Sequence, residues 1–484
     1  MAAHSQQYAA QWRSENLPRD GVRSGVGVMV WVDGTKFEGQ WNCGLRSGHG
    51  ICWFATGDTY EGEWLDDRMH GKGAMRYHNG DGYVGLFRQG LLDGEGTLTL
   101  KNGDQIIGRW QNDKRIGKAT VLYSNGDRYS GQLNKDYHRH GVGSLVLVSG
   151  ERFHGHFDDG VRSGYGACKY ADGESYEGDW FADVRNGDRG TQRYGNGDVY
   201  TGPWFHDRRQ GGGGVCSYAN GDVYEGPWME DRREGVGGTM KYASGDVYTG
   251  EWNSDRREGM GVLLFVDGDR YEGSFFNNVR HGEGSHFRAD GRVYSGVWAE
   301  DNLPAGKEVQ PDGTVYSGAL YCLTRHGLGE MRFATGKGPA GLVSYSGPFV
   351  LGRADGPDGC GVYVDGLQYE GEWKRDLPNG KGCGRYPRSQ GHGHGHVQEG
   401  EGEDVYTGSY VDKKRHGQGK TEYANGDVFE GFWVDDRLWK GHMRYQDGSL
   451  YQGEFNQPVA GTAASSTTSL TTTTAAAATP SAAA

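Results

Sequence analysis

At 484 residues, with 88 glycines and 12% aromatic residues, the chain is neither ordinary in composition nor a simple glycine-rich linker. Disordered glycine-rich chains are poor in aromatics, and collagen would place glycine at every third position. The balance of 51 basic against 64 acidic residues, net −13, disfavours a nucleic-acid binder that relies on a general basic field.

The first twenty residues, MAAHSQQYAAQWRSENLPRD, lack the charged-then-apolar order of a signal peptide, and no apolar run approaches the length of a membrane span. Tyr8 and Trp12 lie four apart, which predicts a short helix over residues 1–20 capping the first strand edge. Seven cysteines occur without a Cys-x-x-Cys pair, so neither a disulfide framework nor a zinc site is signalled. These features predict a soluble, reduced, cytoplasmic protein.

From residue 21 to 455 one pattern recurs. Residues 25–31, GVGVMVW, supply half of it. Its anchor is aromatic-x-Gly-x-aromatic, as in Tyr60, Gly62 and Trp64. Anchors begin at Phe37, Tyr60, Tyr83, Ile106, Tyr129, Phe153, Tyr176, Tyr200, Tyr224, Tyr248, Tyr271, Tyr294, Tyr316, Tyr345, Tyr369, Tyr406, Phe429 and Tyr451, eighteen copies mostly 22 to 24 residues apart. The longer intervals, Tyr316 to Tyr345 and Tyr369 to Tyr406, predict insertions near 337–344 and 388–404. After Asn456 the tail ends SSTTSLTTTTAAAATPSAAA, a low-complexity composition that predicts disorder over 456–484.

Within a copy, Tyr60, Gly62 and Trp64 alternate with Glu61 and Glu63, the period of a strand with one buried face. The segment LDDRMH then reads as a loop, and Gly71, Gly73, Met75 and Tyr77 alternate again. Asn-Gly or Asp-Gly precedes thirteen of the anchors, which predicts type I′ hairpin turns at those pairs. The sum is an all-β fold: an elongated single-layer antiparallel meander of stacked hairpins. Pairing Trp64 with Gly71, Gly62 with Gly73 and Tyr60 with Met75 lets rings lie on glycine lanes. Each buried ring removes some 150–250 Å² from water, roughly 4–6 kcal/mol gross before entropy. Some 36 strands at ~4.8 Å would give a strip roughly 170 Å long, without a deep pocket.

The repeat anchors with the most regular form are Tyr60, Gly62, Trp64; Tyr176, Gly178, Trp180; Tyr200, Gly202, Trp204; Tyr224, Gly226, Trp228; and Tyr248, Gly250, Trp252. An aromatic residue, a charged loop and Gly-x-Gly in a 23-residue period resemble the MORN repeat, and the resemblance spans about residues 21–455. Departures are Leu133 and Leu320 at the second aromatic, and Ala119 at the second loop glycine, which predict bent or loosely packed copies. The resemblance implies a non-enzymatic scaffold that organises protein partners in a cytoskeletal, ciliary or flagellar axonemal assembly. It also implies, as the alternative, a peripheral tether to anionic phospholipid.

Sites for chemistry are scarce. In HGQGKT, residues 416–421, a phosphate-binding loop would need glycine where Lys414 stands. His70, His140, His281, His326 and His416 recur at one loop position without a nucleophile, and so read as repeat consensus. His392, His394 and His396 alternate with glycine in the second insertion; a flexible excursion is the reading preferred over a metal site. Cys52, Cys168 and Cys216 share one position on the ring-bearing face and read as small apolar fillers. No catalytic residue, metal or cofactor is expected.

The loops carry one charge pattern with reach. Arg208 and Arg209, Arg232 and Arg233, and Arg256 and Arg257 repeat in register, a candidate rim for anionic lipid or partner protein. Each pair follows its own aspartate (Asp207, Asp231, Asp255), which predicts local neutralisation. The last strand, near Tyr451 to Phe455, has a free edge that predicts a homodimer contact.

Overall fold

A computed structural model describes residues 22–334, 338–387 and 402–455. The amino-terminal cap, the His-Gly stretch and the low-complexity tail lie outside the described residues. The chain divides into two compact units, Met1–Ala289 and Asp290–Ala484. Both are built of β-strands, and Pro339–Gly341 forms a short 3-10 turn.

In the first unit the strands run from Gly25–Val30 to Val279–Phe287 as an antiparallel meander, and in the second from Val293–Trp298 to Leu450–Glu454. Every anchor from Phe37 to Tyr451 lies in a strand. The second insertion narrows in the structure, because Leu377–Pro387 and Glu403–Val411 stay paired as far as Pro387 and Glu403.

The hairpin Thr59–Leu65 with Arg68–Arg76 shows why the sequence folds this way. Tyr60 pairs with Met75 and Gly62 with Gly73, as the alternation predicts. Beyond Gly62 the register shifts, and Trp64 pairs with Met69 rather than Gly71. Gly71 instead faces Phe87 of the next copy, while Trp64 lies opposite Gly48 of the preceding one. The glycine lane under each indole therefore belongs to its upstream neighbour.

The turns also exchange roles. A type I′ turn needs positive φ at both central residues. Asp66 and Asp67 have φ of 50° and 65°, and the pairs His206–Asp207 and Glu230–Asp231 behave alike, so the charged loop is the two-residue turn. At Asn79-Gly80 only Gly80 turns positive; its N–H donates to Tyr77 and the Tyr77 N–H to Asp81, a three-residue loop with a glycine bulge. Asn79 serves differently, accepting the Asp81 N–H at 2.9 Å.

Within each unit the rings of successive copies interlock. Tyr176 meets Trp180 of its own strand at 5.2 Å and Trp204 of the next copy at 5.4 Å, both edge-to-face. The same pair of contacts recurs at Tyr200, Tyr224 and, in the second unit, Tyr406. Such pairs add about 0.5–1.5 kcal/mol each beyond area burial. A Cβ on Gly214 would stand 2.6 Å from both the Tyr200 hydroxyl and Trp228 Cδ1, so glycine is required there by two rings at once. Ala119 tolerates a methyl because its two rings are absent: Ile106 and Leu133 stand in those places. All three are buried, so this copy is closed rather than loose.

Candidate interaction surfaces

The ring face is sealed by the protein itself. Tyr60, Tyr200, Tyr224 and Tyr248 are 0% exposed, and Trp64, Trp180, Trp204, Trp228 and Trp252 are buried. Tyr176 is buried as well, and Gly62, Gly178, Gly202, Gly226 and Gly250 are buried or half-buried beneath the rings. Tyr60 turns its hydroxyl onto its own strand, donating to the Glu63 carbonyl at 2.8 Å, and Tyr176, Tyr200, Tyr224 and Tyr248 likewise donate to the carbonyl three residues on. Indole N–H groups reach back one copy, from Trp64 to the Gly50 carbonyl and from Trp228 to Gly214. Burial pushes the Tyr83 hydroxyl up to about 12, the Cys52 thiol to about 11 and the Cys168 thiol to about 12, so these groups stay neutral. Cys216 is buried in the same row; Cys52 accepts from Arg46 at 3.8 Å and Cys168 donates to Glu151 at 3.3 Å, so these two carry polar contacts beyond the apolar filling the sequence suggests.

On the edge formed by the two-residue turns, the arginine pairs divide. Arg209 lies over Trp228 at 4.1 Å, and its backbone N–H and Nε both donate to Asp231, at 2.9 and 3.1 Å. Arg233 does the same with Trp252 and Asp255. Arg257 lies over Phe275 and bonds Asn278. The pattern extends to Arg46, Arg162, Arg185 and Arg415, each on the following copy's indole and aspartate. The expected neutralisation by the preceding aspartate is therefore corrected: Asp207 holds Arg185 of the upstream copy, and Arg209 is held downstream. Identical spacing in every copy conceals which copy supplies the partner.

Arg208, Arg232 and Arg256 remain exposed. Arg208 pairs with Glu230 at 3.1 Å and Arg256 bonds Asn277 at 3.3 Å. Beside them stand the exposed apolar side chains Phe205 and Met229, cross-strand partners of Arg208 and Arg232. The opposite edge is tied copy to copy by aspartates: Asp81 accepts the Lys101 N–H and Asp222 the Ala243 N–H, each at 2.8 Å. This is the function of the aspartate after Asn-Gly, which the hairpin reading had not assigned.

The face opposite the rings is open, and holds two shallow recesses in the first unit. One, of about 570 Å³, is lined by His49, Glu61, Lys72 and Glu95 among others. The other, of about 460 Å³, includes Arg152, His154, Lys169, Glu177 and Arg193.

The loop histidines do not converge. His140 lies 3.3 Å from Asp158 and His416 3.5 Å from Asp435, while His281 and His326 are exposed and His70 is half-buried. HGQGKT lies in the strand Lys414–Glu422, with Lys420 bound to Glu422. Among the described residues no group of three or more His, Cys, Asp or Glu is placed to hold a metal. No helix among them is long and apolar enough to cross a membrane.

Comparison with solved structures returns low likenesses. The SAS-4 TCP domain of Drosophila melanogaster, in complex with a proline-rich motif of Ana2, aligns at 12% identity and TM-score 0.19, over 38% of this chain and 85% of that one. The TCP10 domain of Danio rerio CPAP, in complex with a STIL peptide, gives 11% and 0.13, over 60% and 92%. At such scores neither likeness supports a conclusion. Alsin of Homo sapiens and of Mus musculus are each 32% identical over 114 residues, 23% of this chain. The chain spans only 6% of the length of these curated relatives. The MORN repeat model matches residues 19–36, 37–59, 60–82, 83–105, 107–128, 153–175, 176–199, 224–247, 248–270, 271–291, 369–387 and 406–428, over half of the chain. Twelve matched segments, in register with the anchors and strands described above, place the chain in the MORN repeat family.

Proposed function

We propose that the chain is a non-enzymatic scaffold that organises protein partners in a cytoskeletal, ciliary or flagellar axonemal assembly. The observation that carries this reading is the inequality of the two sheet faces. The rings are consumed by contacts between copies, while the other face presents alternating exposed side chains such as Glu61, Glu63 and Val84 along each strand. A surface of that kind offers many weak, periodic contacts and no water-excluding cleft. Detergent extraction of cells expressing the tagged chain tests it. Retention in a salt-extractable skeleton is expected, and complete release into the detergent-soluble fraction would overturn it.

The last strand, Leu450–Glu454, pairs among the described residues only with Arg437–Arg444, and Leu450 and Tyr451 are exposed. Pairing of two copies through this edge completes the scaffold reading. Sedimentation should give a dimer that Gln452→Pro converts to monomer; a strict monomer at micromolar concentration refutes it.

A second reading is a peripheral tether to anionic phospholipid. The exposed Arg208 and Arg232 beside Phe205 and Met229 favour it, since cation and apolar groups together suit a headgroup boundary. Salt-sensitive flotation with phosphoinositide vesicles, lost on changing Arg208, Arg232 and Arg256 to Glu, is its test. Flotation that survives those changes rules the rim out.

A further inference from the structure

The array contains two half copies, and each lacks what the other has. Gly25–Val30 is a second strand without a first. It carries the second-strand set: Arg23 lies 4.8 Å over Trp41, the Gly27 carbonyl accepts the Trp41 indole N–H, and Met29 pairs with Phe37 of the next copy. The pairing of Phe37 with Cys52, Gly39 with Gly50 and Trp41 with Arg46 shows where its own first strand would lie. Those places hold Ser14, Asn16 and Pro18, where a ring, a glycine and a second ring would be needed.

The reverse holds at Leu450–Glu454, a first strand without a second. Tyr451, Gly453 and Phe455 give the anchor in full. By the spacing of Gly62 to Gly73 and Tyr60 to Met75, a second strand would need glycine at Ala464 and a large apolar residue at Ser466.

Burial reflects both gaps. Tyr451 is 43% exposed, whereas no other anchor is more than 2% exposed. Met29 is half-buried, whereas Cys52, Met75 and Leu98 at the same repeat position are buried. Val26, Val28 and Val30 stand exposed on a strand that pairs, among the described residues, only with Lys36–Asn42. An apolar edge of this kind is a template for another chain.

Gly27 carries the same gap in steric form. In complete copies the second-strand glycine is kept bare by the ring of its own anchor: a Cβ on Gly73 would stand 2.4 Å from Tyr60 Cε2, and one on Gly50 2.4 Å from Phe37 Cζ. At Gly27 the nearest atoms belong to Trp41 at 3.5 Å, an ordinary contact, and φ lies outside the left-handed region. The free chain therefore accepts alanine at this position, and only a ring arriving from outside the copy would forbid it.

We propose that the last strand of one molecule pairs with Gly25–Val30 of a second molecule, so that two chains together assemble one complete copy. Tyr451 then faces Met29, Gly453 faces Gly27 and Leu450 meets Val30, the register that Tyr60, Gly62 and Thr59 keep with Met75, Gly73 and Arg76. Phe455 falls opposite Arg23, as Trp180 does opposite Arg185. The inference rests on the edge pairing of the scaffold reading and names the surface that this edge meets. Because the two edges differ, the contact is heterologous and leaves one edge of each kind free. A dimer is then the first member of a series that lengthens with concentration.

Sedimentation of the full chain from about 1 to about 100 µM at ~0.15 M salt is the primary measurement. Mass should climb past the dimer. Gly27→Ala should leave the melting temperature of the dilute protein unchanged and weaken association about tenfold or more, the effect of a methyl set against a ring. Tyr451→Ala should weaken association likewise. Mixing the two variants should give one-to-one dimers and nothing longer, since one variant keeps its last strand and the other its first. On concentrating the unmodified chain, amide protection should rise at 25–30 and 450–454 together. The inference fails if the chain stops at a dimer, if the mixed variants stay apart, or if Gly27→Ala associates as well as the unmodified chain. In that last case the final strands pair with each other, and the edge pairing stands without this partner. A strict monomer overturns both.

Discussion

Arg209 holds its guanidinium 4.1 Å from the ring centroid of Trp228 and donates to Asp231, both in the copy that follows its own. Arg208, one residue earlier, is exposed and pairs with Glu230 at 3.1 Å. The two neighbours therefore differ in kind. Stacking of a cation on an indole contributes about 0.5–2 kcal/mol, and a hydrogen bond to a charged group about 1.5–3. Arg209→Ala should cost roughly 2–4 kcal/mol locally, whereas Arg208→Ala should stay within about 0.5. Long arrays need not unfold in one step, so amide exchange over residues 199–253 is the suitable readout. Equal protection in both variants would contradict the assignment.

Gly214→Ala places a methyl between two rings and should destabilise by about 1–3 kcal/mol, the usual range for overpacking. Its backbone is not in the left-handed region, so the effect is steric alone. The Ile106, Ala119 and Leu133 trio supplies the complementary test. Ile106→Tyr alone should destabilise, and adding Ala119→Gly should restore most of the loss. A double-mutant cycle showing additive effects would refute the coupling.

His286 occupies the position opposite the anchor that elsewhere holds Met75, Leu98 or Met240. It is buried, with its Nε2 2.9 Å from Asp269. Burial, the largest influence, lowers its pKa below the usual 6.5; Asp269 opposes this, and the charges of Arg280 and Arg288 reinforce it. The unfolded chain then binds the proton more readily than the folded one. Stability is complete above the unfolded value and is lost as pH falls below about 6.5, by at most about 1.4 kcal/mol per pH unit. His286→Leu should flatten this acid limb of the melting profile. An unchanged limb would show that another group governs it.

Thiol reactivity should separate the cysteines by position. Cys43 and Cys322 sit exposed in two-residue turns, whereas Cys52 and Cys168 are buried with raised pKa. Maleimide at neutral pH should label the first pair within minutes and the second only in denaturant. Rapid native labelling of Cys52 would indicate that the ring row opens readily.

Much of the fold is legible in the sequence, because alternation and period are local properties. Tyr60, Gly62 and Trp64 declare a strand with one buried face, and Tyr60 facing Met75 follows directly. What the letters conceal is the choice among identical neighbours. Asp207 and Asp231 have equal claims on Arg209 until the register shift after the anchor glycine is known. That shift arises where the chain crosses glycine, a conformational freedom that composition does not specify. The turns mislead for a related reason: Asn-Gly favours the two-residue hairpin, yet paired aspartates such as Asp66 and Asp67 accept positive φ when the strand twist demands it. The recess on the open face escapes the eye because Arg152, Lys169 and Arg193 are far apart in the chain and come together only after folding.

The indole that hydrogen-bonds one copy upstream gives the array a direction. Trp41 settles on Gly27, Trp64 on Gly50 and Trp228 on Gly214, always toward the amino end. A ribosome releases that end first, so each new tryptophan emerges when its docking carbonyl has already been made. Synthesis and assembly then advance in step like a zip fastener, and few large rings wait in water for a partner still to be translated.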